Sequence, residues 1–400
     1  MNSPGTYWAL AIAGATILAV TQGVRQSLGL FVSPLNTTTG LGIVTISFTL
    51  AVGQFVWGAA QPLFGAIVDR AGSARVMALG ALMLAAGLVG TTFVNSSLGL
   101  VLFLGVLTSA GAGAGSFSII MSAAANRLPP ERRTMASGFI NTGASIGQFI
   151  FAPLSQGLIA AFGWIVALWT LAAAALATIP LAFTFRERPG EAKPAHGPGI
   201  TLGSQVREAF RDPSYLCLHA GFFTCGFHIA FLTTHLPGEV ALCGLPATVS
   251  AAALAIIGLG NIAGSLTAGW LGQSVRMKWV LFGMYGGRAV AILAYLALPK
   301  TAITLYAFAA VLGFTWLATV PMTAGIVGKL FGVRYLATLF GLTLLSHQIG
   351  AFFGAWLGGI ALDRTGSYDW MWYADAALAF AAALVNLPIR EAPVAKPVAA

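Results

Sequence analysis

Charge is what this sequence has least of. Of 400 residues only 8% are Asp, Glu, Lys or Arg, against roughly 25% in an average soluble domain. The solvated surface of a soluble enzyme, a nucleic-acid interface and a disordered chain each need more charge than that, and all three are excluded. Cysteine is nearly absent. Cys217, Cys225 and Cys243 are too few for a disulfide framework and lack metal-ligand spacing; they read as small apolar fillers. No charged segment or small-residue cleavage site accompanies the first apolar run. That run is expected to stay as an uncleaved first span and not to act as a signal peptide.

What the chain has in quantity is apolar length. Hydrophobic residues make up 58%, and at roughly 20 residues per bilayer crossing they could fill about a dozen spans. Twelve runs are visible, at 7–33, 43–68, 75–95, 98–125, 134–160, 163–185, 214–237, 245–271, 278–298, 301–327, 336–362 and 370–388. They are too long and too continuous for a membrane barrel, whose strands alternate polar and apolar positions. An all-α membrane protein of twelve transmembrane helices is predicted.

The positive charge is one-sided. With the N-terminus placed inside, nearly all of the 20 Lys and Arg fall in cytoplasmic loops; the outer loops keep only Lys300 and Arg364, and Arg25 and Arg288 lie within spans. That bias predicts both termini in the cytoplasm and a multi-pass location in the inner (plasma) membrane. It also accounts for the net charge of +9 without nucleic acid.

The longest polar stretch, 186–212, holds RERPGEAKPAHGPG and reads as a cytoplasmic linker, with a short amphipathic helix around Gln205–Phe210. It divides the chain into six-helix halves at 1–185 and 213–400. The halves resemble each other: Gly138, Gly147 and Gly163 recur as Gly341, Gly350 and Gly366 at one constant offset, and Gly65 recurs as Gly269 one residue further on. A parallel repeat about an axis along the membrane normal follows, and such repeats place the substrate site between the halves near the midplane.

The loop GAIVDRAGSARVM carries Gly65, Asp69, Arg70, Gly72 and Arg75. It resembles the signature loop between the second and third spans of the major facilitator superfamily. The second-half copy, GWLGQSVRMK, has Gln273 in place of the aspartate. GVRQSLGLFVSPL, LPPERRTMASGF and LFGLTLLSHQIGAFFGAWLGGIALDRTGSYDW are similar to the bacterial branch around the monocarboxylate transporters and oxalate–formate exchangers. The resemblance implies two halves related by pseudo-twofold symmetry, alternating access, and a gating latch at Asp69, Arg70 and Arg75. One departure matters. Where that branch carries an Asp and an Arg four apart in span eight, this chain has Asn261 and Ser265, which cannot form an ion pair.

Ionisable groups inside spans are costly and mark function or a buried partner. Arg25 is too deep in span one to snorkel and has no carboxylate at its depth in the first six spans. An anionic cargo, a carboxylate gripped by the planar fork, would answer it; bonding to Gln22 or Asn141 is the structural alternative. Arg288, with Tyr285 one turn earlier, either contacts substrate or pairs with Asp375. His347 and Gln348 in span eleven either meet the cargo or pack in a helix interface, and His347 is a candidate proton carrier. His219, His228 and His235 recur along span seven, roughly on one face, with His228 facing the cavity. Glu239 and Asp375 complete the proton-coupling candidates, with a solvated loop charge the stronger reading of Glu239. Gln54, Trp57, Gln61 and Gln148 read as weaker candidates, more often helix glue, and GAGAG at 111–115 as close helix packing or a gate.

The expectation is a secondary active transporter, monomeric, moving a small organic anion with a proton. No metal, no cofactor, no catalysis and no nucleic-acid partner is expected; the cargo and the lipid bilayer are the partners. Export of drugs or amphipathic metabolites is the alternative.

Overall fold

The computed structural model describes residues 4–125, 130–186, 201–332 and 335–392, and every regular element in them is helical. Span one is Pro4–Ser27, tightening through Leu28–Phe31 into Val32–Thr39. Spans two and three are Ile43–Ala71 and Ser73–Thr91. Span four is assembled from Ser97–Leu100, a π-helical stretch Val101–Leu107, Thr108–Ala114 and Phe117–Ala125. Spans five and six share Pro130–Leu176, and Ile179–Phe183 completes the latter. A linker helix, Leu202–Ala209, precedes span seven, Pro213–Leu242. Spans eight and nine are Ala247–Ser274 and Met277–Ala297; span ten is Ala302–Trp316 followed by Thr319–Phe331; spans eleven and twelve are Leu336–Thr365 and Asp369–Asn386.

Among the described residues, ten stretches are long and apolar enough to cross a bilayer unaided. One of them, Gly138–Phe183, is two crossings joined at a bend. Span twelve, with 18 residues that include Asp369 and Asp375, makes the twelfth. Helices are the natural choice, because lipid offers no partner to an open backbone N–H or C=O.

The repeat read from glycines is visible as geometry. Gly147 of span five lies on the carbonyl of Ala19 in span one, and Gly350 of span eleven lies on the carbonyl of Phe223 in span seven. A side chain at either position would collide with backbone, so only glycine allows these helices their spacing. Gly163 and Gly366 match too, with φ of 81° and 69°. That left-handed backbone turns the chain after spans five and eleven, where an L side chain would be strained. Spans five and six were expected to be separated by a break; this one residue does the work.

The halves meet through spans two and eleven and through spans five and eight. Phe48 packs edge-on against Phe352 and Trp356, Gly29 abuts Thr233, and Gly359 abuts Ser47. These contacts lie toward the face opposite the chain termini. At mid-depth Gly58 receives the Gln348 side chain.

At the terminal face the second half is strapped. Arg390 donates to Asp212 at 2.8 Å and through its backbone N–H to Ser214 Oγ at 3.0 Å. Glu391 accepts from the Lys278 backbone N–H at 2.8 Å and from Lys329 Nζ at 3.0 Å. The linker helix joins this strap through Gln205, which donates to the Phe331 carbonyl at 3.1 Å.

Candidate functional site

Two spans are interrupted near mid-membrane at matching places. Span four breaks at Gly115–Ser116, between Ala114 and Phe117, and span ten breaks at Leu317–Ala318. Corresponding interruptions in two halves are the usual pointer to a transport site, because they leave backbone groups free beside a cavity. Each break is held by a neighbour. Thr21 of span one donates to the Gly115 carbonyl at 3.1 Å. Arg288 of span nine donates to the Thr315 carbonyl at 2.8 Å. Asn261 accepts from the Leu317 backbone N–H at 3.2 Å and donates to Gln148 Oε1 at 3.2 Å, which ties the break in span ten to span five of the other half. Glycine packing dominates the rest of span four: Gly111 touches the backbone of span three, and Gly113 touches Ala60 and Trp57.

Arg25 lies one helical turn beyond Thr21 in span one. It is half-buried, donates from Nε to Gln22 Oε1 at 3.1 Å and from Nη1 to Gln54 Oε1 at 2.5 Å, and lies over Trp57 with Cζ 4.2 Å from the ring centroid. Two neutral amides and an aromatic face orient the guanidinium without neutralising it. Among the described residues it has no carboxylate partner. Beside it lies a void of about 10 Å³, lined by Gly29, Ser109, Thr233 and Thr234 among others. Across the boundary, Gln348 Nε2 bonds His347 Nδ1 at 3.1 Å, and Gln348 Oε1 and Trp57 Nε1 are buried without partners. Arg25, Gln22, Gln54, Trp57, His347 and Gln348 thus form one mid-depth group. Asn141, expected beside Arg25, has no hydrogen-bond partner among the described residues.

The second half corrects four expectations. Arg288 does not pair with Asp375: Asp375 Oδ2 bonds His228 Nδ1, and Arg288 uses the Thr315 carbonyl and the face of Tyr285, 5.3 Å away. His228 therefore faces the interior of its own half and not the cavity. The reason is helix rotation: His228 and Arg288 both point to the seam of spans seven, nine and twelve, where the carboxylate meets the imidazole first. The three histidines of span seven do not act as one stripe. His219 bonds Ser346 Oγ at 2.6 Å; His235 bonds the Ala355 carbonyl at 2.7 Å and lies 3.3 Å from Tyr368 Oη. Glu239 is not a solvated charge: it is 7% exposed and accepts from Tyr295 Oη at 2.6 Å. In the signature loop, Gly72 has φ of 83° and Arg75 is exposed, while Gly65 has open space around it. The side chains of Asp69 and Arg70 lie outside the described residues. Sequence reasoning ranked Gln54 and Trp57 low, though their four-residue neighbourhood in span two faces Arg25. It gave Asn261 no structural role, and it passed over Pro321, whose missing N–H marks the break in span ten, two spans away.

Twelve helices in two matching halves, with a polar group at mid-depth between them, make a membrane transporter and not an enzyme. The chain belongs to the Major Facilitator Superfamily, whose profile matches residues 12–273 and 244–400. It is similar to monocarboxylate transporter 13 of Rattus norvegicus, 24% identical over 394 residues that cover 96% of this chain and 89% of that one. It is also similar to the oxalate:formate antiporter of Oxalobacter formigenes, 24% identical over 365 residues, covering 90% and 86%. Among solved structures, a D-xylose-proton symporter superposes with a TM-score of 0.76 at 15% identity, covering 96% of this chain and 98% of that one. A bacterial homologue of the lysosomal transporter Spinster, inward-facing and unoccupied, superposes with a TM-score of 0.71 at 15% identity, covering 97% and 95%.

Proposed function

We propose that this transporter carries a small organic anion, a carboxylate, together with a proton across the inner membrane by alternating access. The observation that carries the reading is the state of Arg25: a mid-depth guanidinium oriented by two amides and an indole, with no acidic partner among the described residues. A carboxylate completes it with paired charge-assisted hydrogen bonds. His347 and Gln348 face it from the second half, so cargo would bridge the halves, as alternating access requires. The named relatives, monocarboxylate transporters and an oxalate:formate antiporter, are carriers of this chemical class.

In this reading the halves are 1–185 and 213–400, joined by 186–212. The terminal face is cytoplasmic, the contacts of Gly29 with Thr233 and of Gly359 with Ser47 are the closed outer gate, and the loop from Gly65 to Arg75 is the inner latch. The carrier works as a monomer.

The test is uptake into proteoliposomes of oxalate, formate and L-lactate by wild type and by Arg25→Ala. The variant should lose about 100-fold or more in kcat/KM for whichever anion wild type moves, while keeping its elution profile and helical content. Undiminished uptake by Arg25→Ala would refute the reading. So would a wild type that moves neutral or cationic amphiphiles and no carboxylate, which is the behaviour of a drug or metabolite exporter.

A further inference from the structure

Cargo binding leaves a second buried group unexplained. His228, Asp375 and Arg288 come from spans seven, twelve and nine, and are 1%, 0% and 0% exposed. His228 Nδ1 and Asp375 Oδ2 form one hydrogen bond. Around it, His228 Nε2, Asp375 Oδ1, and Nε and Nη1 of Arg288 are buried with no partner. A cluster kept only for stability would close those bonds or be apolar.

Open space approaches the pair from one side. A crevice of about 470 Å³ runs between spans seven, eleven and twelve, lined by His219, Thr224 and Ser346 among apolar side chains. It reaches Thr224 and Leu378, about one helical turn short of His228 and Asp375. In the other direction, His235 with Tyr368 and Glu239 with Tyr295 continue the face of span seven that carries His228.

We propose that the His228–Asp375 pair is the proton-binding site of this transporter, and that its charge reaches the boundary between the halves through Arg288 and the broken span ten. This rests on the proton-coupled reading above. Neutral His228 donates from Nδ1 to the Asp375 carboxylate and leaves Nε2 with a free lone pair. A hydronium ion gives its proton to Nε2; one N–H bond forms, one O–H bond breaks, and water is left. Before that step Arg288 and Asp375 balance. After it the cluster holds one extra positive charge, which repels Arg288 in a low-dielectric interior. Arg288 is the group that holds the Thr315 carbonyl at the break, and Asn261 links the same break to Gln148 of the first half. An arriving anion offsets the new charge, so proton and cargo favour each other's binding.

The groups facing the pair are few. Span seven contributes Cys225, span nine Arg288 and Tyr285, and span twelve the neutral indole of Trp372. Span ten brings the hydroxyls of Thr315 and Thr319. His347 of span eleven lies within electrostatic reach of Arg288. Among these described residues Arg288 supplies the permanent charge.

Two measurements test this. In purified protein with isotope-labelled histidine, magnetic resonance follows His228 through a pH titration, its signal assigned by its loss in His228→Gln or its displacement in Asp375→Glu. His228 should change protonation state within the range in which transport varies; a histidine locked in one state throughout overturns the proposal. In proteoliposomes given L-lactate, oxalate and formate, the ratio of pH-driven accumulation to self-exchange should fall about tenfold in Asp375→Asn and His228→Gln. An unchanged ratio overturns the proposal. If no carboxylate moves in wild type, the cargo reading fails alone, and the titration still decides the proton site.

Discussion

Arg25 and Arg288 are the same side chain placed deep inside two helices, and the bundle treats them in opposite ways. Arg25 is half-buried, held by two glutamines and an indole, and faces the boundary between the halves. Arg288 is fully buried inside one half, spends one nitrogen on a backbone carbonyl, and stands beside a histidine–aspartate pair. Depth and residue type are shared; the partners differ. A cation served by neutral groups can exchange anions. A cation beside a carboxylate is part of a fixed charge balance, and removing it leaves that carboxylate unmatched.

The comparison can be broken most directly by removing each charge. Arg288→Met should destabilise the protein by about 1–3 kcal/mol, because the buried Thr315 carbonyl loses its donor and the buried Asp375 loses a nearby cation, and adding Asp375→Asn should recover part of the loss. Arg25→Met should cost about 1 kcal/mol, since Gln22 and Gln54 can turn to each other, and yet abolish anion uptake. Thermal unfolding of the three variants beside uptake decides this; equal destabilisation by both single changes would erase the distinction. A smaller effect is expected at the link between the two regions. Asn261→Leu removes an interhelical bond worth about 0.6 kcal/mol in membranes and uncaps span ten. It should shift the balance of inner-open and outer-open forms about threefold, read by accessibility of single introduced cysteines on either face.

The smallest effect belongs to the strap on the terminal face. Burial alone would raise the Glu391 pKa, but bonds from the Lys278 N–H and the Lys329 ammonium outweigh it and hold the carboxyl below its usual range. A depressed folded-state pKa adds stability above the unfolded value, about 4.3, and that contribution is lost as pH falls through the folded value. Glu391→Gln should therefore lose under about 1 kcal/mol at neutral pH, with the gap to wild type closing in acid.

How much of this could be read from sequence follows from the kind of contact. The spans were legible because a crossing is a local property of about 20 residues. Gly147 and Gly350 were legible because each acts through its own missing side chain, at the same place in both halves. The His228–Asp375 bond was not, since the partners are 147 residues apart and meet only through the rotation of two helices. Helices apolar all round give no stripe to fix that rotation. The break in span ten did carry a local mark: Pro321 has no N–H to give the Leu317 carbonyl four residues back. What sequence does not show is that Asn261 and Arg288, both distant in the chain, take up the Leu317 N–H and the Thr315 carbonyl beside it.

The strap at Arg390 and Glu391 has a mechanical meaning. It fastens the end of span twelve to the ends of spans seven, nine and ten, so the rim of the second half has little freedom to shear. A turn begun at mid-depth arrives at that rim whole, as through a stiff crank. Paired spin labels fixed within the rim would keep their separation through the cycle, while labels straddling the two halves would swing apart and together.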